Sequence, residues 1–342
     1  MAEELFAPER AAKIDSMRVH EAYHSWPTLA EEGLAISPQV GRGDFRKVYV
    51  LGMGGSAAGG DVLASWLYTR HGVEVEVCKG VVASLEMRGC LAIACSASGN
   101  TEETLSMMKT AMARHATLVS MSYGGSLEAE SIKAGVPHIQ MPKVVAPRYM
   151  LPFMVFASLR VLDSALGLGS AQEAGEAVSE MRRLRESVSL GAPLSANPSK
   201  KLAAVLLEKV PAIYGTRATR GAGIRFKNAV NENSKKHATY NEMPESFHNE
   251  VEAWDDPVAD FAPVVLRDDS ESQRESRLAD TFVATLKSIG KNPAQLRGTG
   301  SAALARLMTL IYELDMASYY LAIGNGRDPF PIPLVSRLKE GS

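Results

Sequence analysis

The stretch Ala94–Leu105, ACSASGNTEETL, ends an aliphatic run in Ser96, Ser98, Gly99 and Thr101, then continues with helical spacing and two glutamates in its first turn. A buried strand that feeds a helix through such residues directs hydroxyls and unpaired backbone N–H groups at one small space, where the helix macrodipole adds positive potential. That combination favours an anion. A second loop, GMGGSAAGGD, offers Gly54 and Gly55, which let backbone N–H groups approach a ligand, and the hydroxyl of Ser56. Neither loop is a nucleotide pattern: no lysine follows the glycines as in a P-loop, and a dinucleotide fingerprint carries no such run of hydroxyls. A compact phosphate ester suits Gly54, Gly55, Ser56, Ser96, Ser98 and Thr101 together. The plainer alternative is that Ser98 or Thr101 only caps its helix, with Glu102 or Glu103 closing a capping box. One cap needs neither three hydroxyls nor a glycine.

The elements that must hold these loops alternate between strand and helix. Apolar runs at Lys47–Gly54, Val73–Gly80, Leu91–Ser98, Ala116–Gly124 and Pro137–Pro142 are separated mostly by helical segments. This is the grammar of βαβ units, and it predicts a doubly wound α/β domain with a parallel sheet covered on both faces. Ligands bind such sheets beyond the carboxyl ends of the strands, where both loops lie. A charged helical segment ending in a Gly, Pro, Ser and Asn cluster then has the composition of an interdomain connection. After it come the strand-like Val210–Arg217, the helical GAGIRFKNAVNENSKK, the strand-like HATYNEM and two further strands, at VVLR and QLRG. Gly52 and Gly215, 163 residues apart, open comparable turns, and in that register Ser56 falls on Thr219 and Gly60 on Gly223. The expectation is a duplicated domain: residues 1–160 with a helical lead, a helical connection over 161–200, and a second domain over 201–342 with a terminal helix and tail.

Composition narrows the partners. The 342 residues include 46% hydrophobic and 22% charged side chains, a globular balance. A net charge of -2 provides no electrostatic footprint for nucleic acid or an anionic membrane, so any anion must be bound locally. Three cysteines, Cys78, Cys90 and Cys95, are too few and too irregularly spaced for a zinc ribbon or a disulfide framework. No His or carboxylate set has metal-ligand spacing. The N-terminus has no apolar leader and no run reads as a membrane span. A cytoplasmic protein is expected.

SASGNTEETL with GMGGSAAGGD resembles the sugar isomerase (SIS) domain, a phosphosugar-binding α/β fold. FKNAVNENSKKHATYNEMPESFHNEVEAW and LAIGNGRDPFPIPLVSRLK are similar to segments of the bifunctional phosphoglucose/phosphomannose isomerases, and the resemblance runs from about Trp26 to Lys339. It implies two flavodoxin-like αβα domains in tandem, no cofactor, and interconversion of glucose 6-phosphate, mannose 6-phosphate and fructose 6-phosphate through a cis-enediol, a step of glycolysis and gluconeogenesis. Such chemistry needs a base between C1 and C2, a proton handler for ring opening, and a cation for the enediolate. The resemblance assigns the base to Glu232, which stands between Asn231 and Asn233, two amides able to orient a carboxylate. It assigns ring opening to His248, reaching in from the partner subunit of a homodimer. Arg148, at a helix start where a cation opposes the macrodipole, is implied to stabilise the enediolate, and Lys339 maps onto a lysine brought into the site. Ala97 and Phe330 depart from the family pattern, which usually has an aromatic residue and a threonine there.

Two other functions are compatible with the fold. One is an aminosugar-phosphate isomerase or deaminase of the same superfamily; the absence of a glutaminase domain in the sequence speaks against the full amidotransferase. The other is a phosphosugar sensor without catalysis, but two domain copies, no basic recognition helix, and the pairing of Glu232 with His248 are poorly suited to it.

Overall fold

The computed structural model describes residues 2–45, 47–68, 73–80, 86–257 and 259–340, without the side chains of Ala2, Lys339 and Glu340. The described helices are α1 (Ala2–Leu5), α2 (Pro8–Ile14), α3 (Val19–His24), α4 (Trp26–Leu34), α5 (Gly55–Tyr68), α6 (Glu102–Ala113), α7 (Gly125–Ala134), α8 (Leu151–Leu166), α9 (Ala171–Ser187), α10 (Pro198–Leu206), α11 (Arg220–Ser234), α12 (Gln273–Ser288), α13 (Ala303–Gly324) and α14 (Pro333–Glu340). Two compact units divide the chain. The N-terminal unit is Ser25–Ser179 with Ser301–Ala305, and the C-terminal unit is Met1–His24, Glu180–Gly300 and Arg306–Ser342.

The N-terminal unit is built on β1 (Lys47–Leu51), β2 (Glu74–Cys78), β3 (Leu91–Cys95), β4 (Thr117–Ser122) and β5 (His138–Gln140), in the order β2-β1-β3-β4-β5. All pairings are parallel. This is the flavodoxin-like order, which reverses between β1 and β3 and opens a crevice at their carboxyl ends. Alternation along β1 sets the layers: Tyr49 and Leu51 join Ala92, Ala94, Met107 and Met108 in one core, while Val50 turns to the opposite face. There a Cβ on Gly60 of α5 would lie 2.8 Å from that of Val50, so helix and strand touch backbone to side chain. One stretch corrects the sequence expectation that no run suits a membrane. Pro147–Leu166 has the length and hydropathy to span one, but 78% of its most apolar 18-residue window is buried inside the protein, and α8 is a core helix.

The C-terminal unit repeats the plan with β6 (Val210–Gly215), β7 (Thr239–Glu242), β8 (Phe261–Arg267) and β9 (Ala294–Arg297), ordered β7-β6-β8-β9 and again parallel. The order is that of the first sheet without its last strand. The glycine register holds too: a Cβ on Gly60 would meet Val77 of β2 at 3.1 Å, and one on Gly223 would meet Tyr240 of β7 at 2.2 Å, and Val77 and Tyr240 are the same 163 residues apart. Both SIS-type sheets arise from one duplicated βαβ grammar.

Long-range bonds assign the remaining segments to the C-terminal unit. Arg10 Nε donates to the Ile323 carbonyl (3.1 Å), Tyr312 Oη to the Tyr23 carbonyl (2.8 Å), and the Leu194 N–H to the Glu3 carboxylate (2.9 Å). The Gly, Pro, Ser and Asn cluster before α10 is fixed within this unit. Buried Asn197 caps α10 by accepting from the Lys200 N–H, and Lys200 Nζ donates to the carbonyls of Leu190 and Ala192.

Candidate active site

In the N-terminal unit the crevice is lined by the loops after β1 and β3, which are stitched together. Ser56 Oγ accepts from the Ala97 N–H (3.3 Å), and Ser96 Oγ shares a hydrogen bond with Thr101 Oγ1 (2.9 Å). Thr101 occupies the N-cap of α6 with extended backbone but makes no side-chain cap bond. The capping-box alternative therefore fails, because the threonine hydroxyl is turned sideways into the loop. Ser98 is exposed and accepts from the Asn100 N–H (3.2 Å). Gly99 has φ +70°, and a Cβ there would lie 1.8 Å from the Gly124 carbonyl oxygen. Only glycine allows the loop to lie so close to the β4–α7 turn.

Arg148 enters the same unit from a 3₁₀ turn, Pro147–Met150, preceding α8. It is 6% exposed, its guanidinium lies over the Tyr149 ring (4.7 Å to the centroid), and a Cβ on Gly55 would sit 3.3 Å from its Cα. The Trp26 indole holds the turn by donating to the Tyr149 carbonyl (2.9 Å). Gly54, Gly55, Ser56, Ser96, Ser98, Thr101 and Arg148 thus belong to one unit. Hydroxyls, a side-chain-uncapped helix start and a partly dehydrated cation form the chemistry of an oxyanion site.

The corresponding loops of the C-terminal unit are closed. Thr219, the counterpart of Ser56, is 1% exposed and spends its Oγ1 on Thr216, accepting from its N–H (3.0 Å). At the end of β8 and in the loop after it, Arg267 is neutralised by Glu271 and Asp280, and Asp268 by Arg306. The helix that follows, α12, has a complete capping box between Ser272 and Glu275. Burial opposes ionisation of Asp268, but hydrogen bonds from Arg306 and Ser270 outweigh it and lower its pKa. An anion has no place among these acids.

Glu232, His248 and Lys339 all lie in the C-terminal unit. Glu232 is half-buried near the end of α11. Its flanking amides fix that helix end: Asn231 donates to the Lys236 carbonyl (2.7 Å), and buried Asn233 to Tyr23 Oη and Ser318 Oγ (2.8 Å each). Two turns earlier on the same helix, Arg225 forms a buried ion pair with Asp315. Burial pushes the Asp315 carboxyl up, Arg225 opposes this, and the nearby charge of Glu232 adds to it. His248 is exposed at the end of a 3₁₀ turn, Glu245–His248, anchored by Phe247, whose ring lies 4.9 Å from that of Phe282. Lys339 falls in α14, and its side chain lies outside the described residues.

Comparison with known proteins gives the chain its family. The family described as the bacterial phospho-glucose isomerase C-terminal SIS domain matches residues 195–341. A bifunctional phosphoglucose/phosphomannose isomerase of Caldicellulosiruptor bescii is 33% identical over 316 residues, covering 90% of this chain and 93% of that protein. The chain belongs to the bifunctional phosphoglucose/phosphomannose isomerase family. It is thus an enzyme of the isomerase class. A protein of Aquifex aeolicus with the same name is 29% identical, covering 86% of this chain and 90% of its own. The crystal structure of a hypothetical protein from Thermus thermophilus superposes with a TM-score of 0.72 at 17% identity, covering 100% of this chain and 95% of that one, which shows the shared fold.

Within this SIS isomerase fold, sequence reading missed the polar residues behind the anion loop. Ser120 and Ser122 are fully buried in β4, and His138 of β5 bonds to both. Their signal was a period of two: serines at alternate positions facing one side of a core strand demand a partner. Phe330, one of the two departures from the family pattern, is half-buried in a tail tied to α11, since Lys235 Nζ donates to the Asp328 carbonyl (2.6 Å). Ala97, the other, is 5% exposed and gives its N–H to Ser56.

Proposed function

We propose that this isomerase interconverts glucose 6-phosphate, mannose 6-phosphate and fructose 6-phosphate through a common cis-enediol. The observation that carries the reading is the asymmetry between the two halves. The loop after β8 is filled by acids and ion pairs and leads into a helix closed by a capping box, whereas the loop after β3 offers Ser96, Ser98 and Thr101 before a helix with no side-chain cap, in the unit that holds Arg148. The phosphate ester is held by Gly54, Gly55, Ser56, Ser96, Ser98 and Thr101, with Arg148 facing the enediolate charge. Glu232 moves the proton between C1 and C2. Glucose and mannose differ only at the carbon this base deprotonates, so one intermediate serves both sugars. His248, exposed on a turn whose phenylalanine neighbour is locked in the core, is suited to serve the partner subunit of a homodimer in ring opening, with Lys339 as a further cation near the substrate.

The test is a coupled assay in EDTA that follows fructose 6-phosphate conversion to each aldose, with Glu232→Gln beside the wild type. Loss of a general base lowers kcat by about 10²–10⁴, and the expectation is a loss of that size for both aldoses with phosphosugar binding retained. Wild-type turnover of neither aldose, with the ester still bound, would overturn the reading and leave a sensor.

A further inference from the structure

Behind the anion loop lies a chain of hydrogen bonds that no catalytic role accounts for. In the parallel register of β4 and β5, Ser120 stands opposite His138 and Ser122 opposite Gln140, so Ser120, Ser122 and the imidazole share one face of the sheet. His138 Nδ1 lies 2.8 Å from Ser120 Oγ, and Nε2 lies 3.3 Å from Ser122 Oγ. Ser122 Oγ donates to the Gly124 carbonyl (2.7 Å) and accepts from the Gly124 N–H (3.1 Å). Gly124 in turn abuts Gly99 of the anion loop, and three bonds brace the same contact. The Leu127 N–H donates to the Gly99 carbonyl (2.8 Å), the Tyr123 N–H to the Ala97 carbonyl (2.9 Å), and the Ser126 N–H to Asn100 Oδ1 (3.0 Å).

Counting protons along this chain assigns its direction. Ser131 gives its proton to the Leu127 carbonyl (2.6 Å), so Ser120 gives its own to Ser131 (2.7 Å) ahead of the longer contact with the Pro137 carbonyl (3.4 Å), and with that proton spent His138 Nδ1 carries the hydrogen that Ser120 accepts. Neutral His138 then has a lone pair on Nε2. It competes with the Gly124 carbonyl for the single proton of Ser122. Protonated His138 donates from both nitrogens and leaves the Ser122 proton wholly to Gly124.

We propose that His138 is a positioning residue for the phosphate loop: its ring decides which acceptor Ser122 takes, and through Gly124 and Gly99 sets the backbone of residues 97–100. This rests on the reading that the loop binds the phosphate ester. Burial holds the imidazole below its usual pKa, and Glu128 of α7 is the one charged group whose field is felt at the ring among the described residues, acting in the opposite sense. The remaining groups facing it from β4 and α7 are the hydroxyls of Ser120, Ser122 and Ser131.

The experiment is an amide NMR titration of the whole protein between about pH 5 and 8, the span in which a histidine changes charge, with and without inorganic phosphate, for wild type, His138→Gln and His138→Phe. The Gly99, Gly124 and Ser126 amides are expected to titrate with the His138 ring, and to lose that inflection in both variants. Removing one such bond corresponds to about a five-fold weakening of phosphate binding, expected for His138→Phe with less in His138→Gln. Amides of the loop that ignore the His138 midpoint, or a His138→Phe protein that binds phosphate as the wild type does, would overturn the proposal. Phosphate that leaves every amide of 96–101 unmoved, while the pH coupling is present, would instead remove the site reading on which the proposal rests.

Discussion

Replacing Gly99 by alanine separates two penalties that the structure makes distinct. The first is conformational: at φ +70° an L-residue is strained, at a cost of about 1–2 kcal/mol. The second is contact. The new methyl would begin 1.8 Å from the Gly124 carbonyl oxygen, so one backbone segment must retreat by more than an ångström. That movement breaks the Leu127 N–H to Gly99 carbonyl bond of 2.8 Å, adding about 1–3 kcal/mol for a backbone group left unsatisfied. Gly135, at φ +66° with open space around its Cβ position, supplies the control, since alanine there meets only the first penalty. Gly99→Ala should therefore be less stable than Gly135→Ala by about 1–3 kcal/mol, which at roughly 2–4 °C per kcal/mol is a difference in Tm of about 2–12 °C. In the coupled assay its KM for fructose 6-phosphate should rise about ten-fold or more, the loss of one charge-assisted backbone contact to phosphate, while Gly135→Ala keeps the wild-type value. Equal Tm values for the two variants, or an unchanged KM in Gly99→Ala, would refute the argument that this contact shapes the phosphate loop.

Two further outcomes are expected. If Glu232 of one subunit works with His248 of the other, mixing Glu232→Gln with His248→Ala subunits by co-refolding restores roughly a quarter of wild-type activity, since half the dimers are hybrids with one intact site; two inactive parents that stay inactive when mixed place both residues in one subunit's site or exclude the pairing. The carboxyl of Asp268 is held below the usual carboxylate range, so its ion pair contributes stability above the unfolded-state pKa and loses it as pH falls through the folded one. Urea unfolding at about pH 6.5 and about pH 2.5, well below the unperturbed Asp value, should show a larger drop for the wild type than for Asp268→Asn, and parallel drops would assign the acid sensitivity elsewhere.

What could be read from the chain and what could not follow from the range of the forces involved. The β1, β3, β4 and β6 runs are short, apolar and ended by glycine or hydroxyls, and each formed as expected; turn chemistry is local, so the places of the loops after β1 and β3 were legible. β8 carries Pro263 and β9 is only Ala294–Arg297, and what makes them strands is pairing with neighbours distant in sequence. The unit boundary falls within α9, between Ser179 and Glu180, and the first 24 residues pack with the C-terminal unit. No composition shift marks either, because Arg10, Tyr23 and Glu3 find their partners at separations of 191 to 313 residues. The asparagines beside Glu232 also tie the helix end to Lys236, Tyr23 and Ser318, and the last two of these partners lie too far off in sequence for local reading to find.

The matched glycines of α5 and α11 bear on how such a protein can be recombined. Gly60 is shaped to Val50 and Val77, and Gly223 to the ring of Tyr240. A graft that moved one of these helices into the other half would bring a smooth surface against the wrong relief, leaving a hollow where the tyrosine had been or driving its ring into a backbone. The heritable module is therefore the helix together with its strand, and a homologue that exchanged one without the other should carry a compensating change at the position of Val77 or Tyr240.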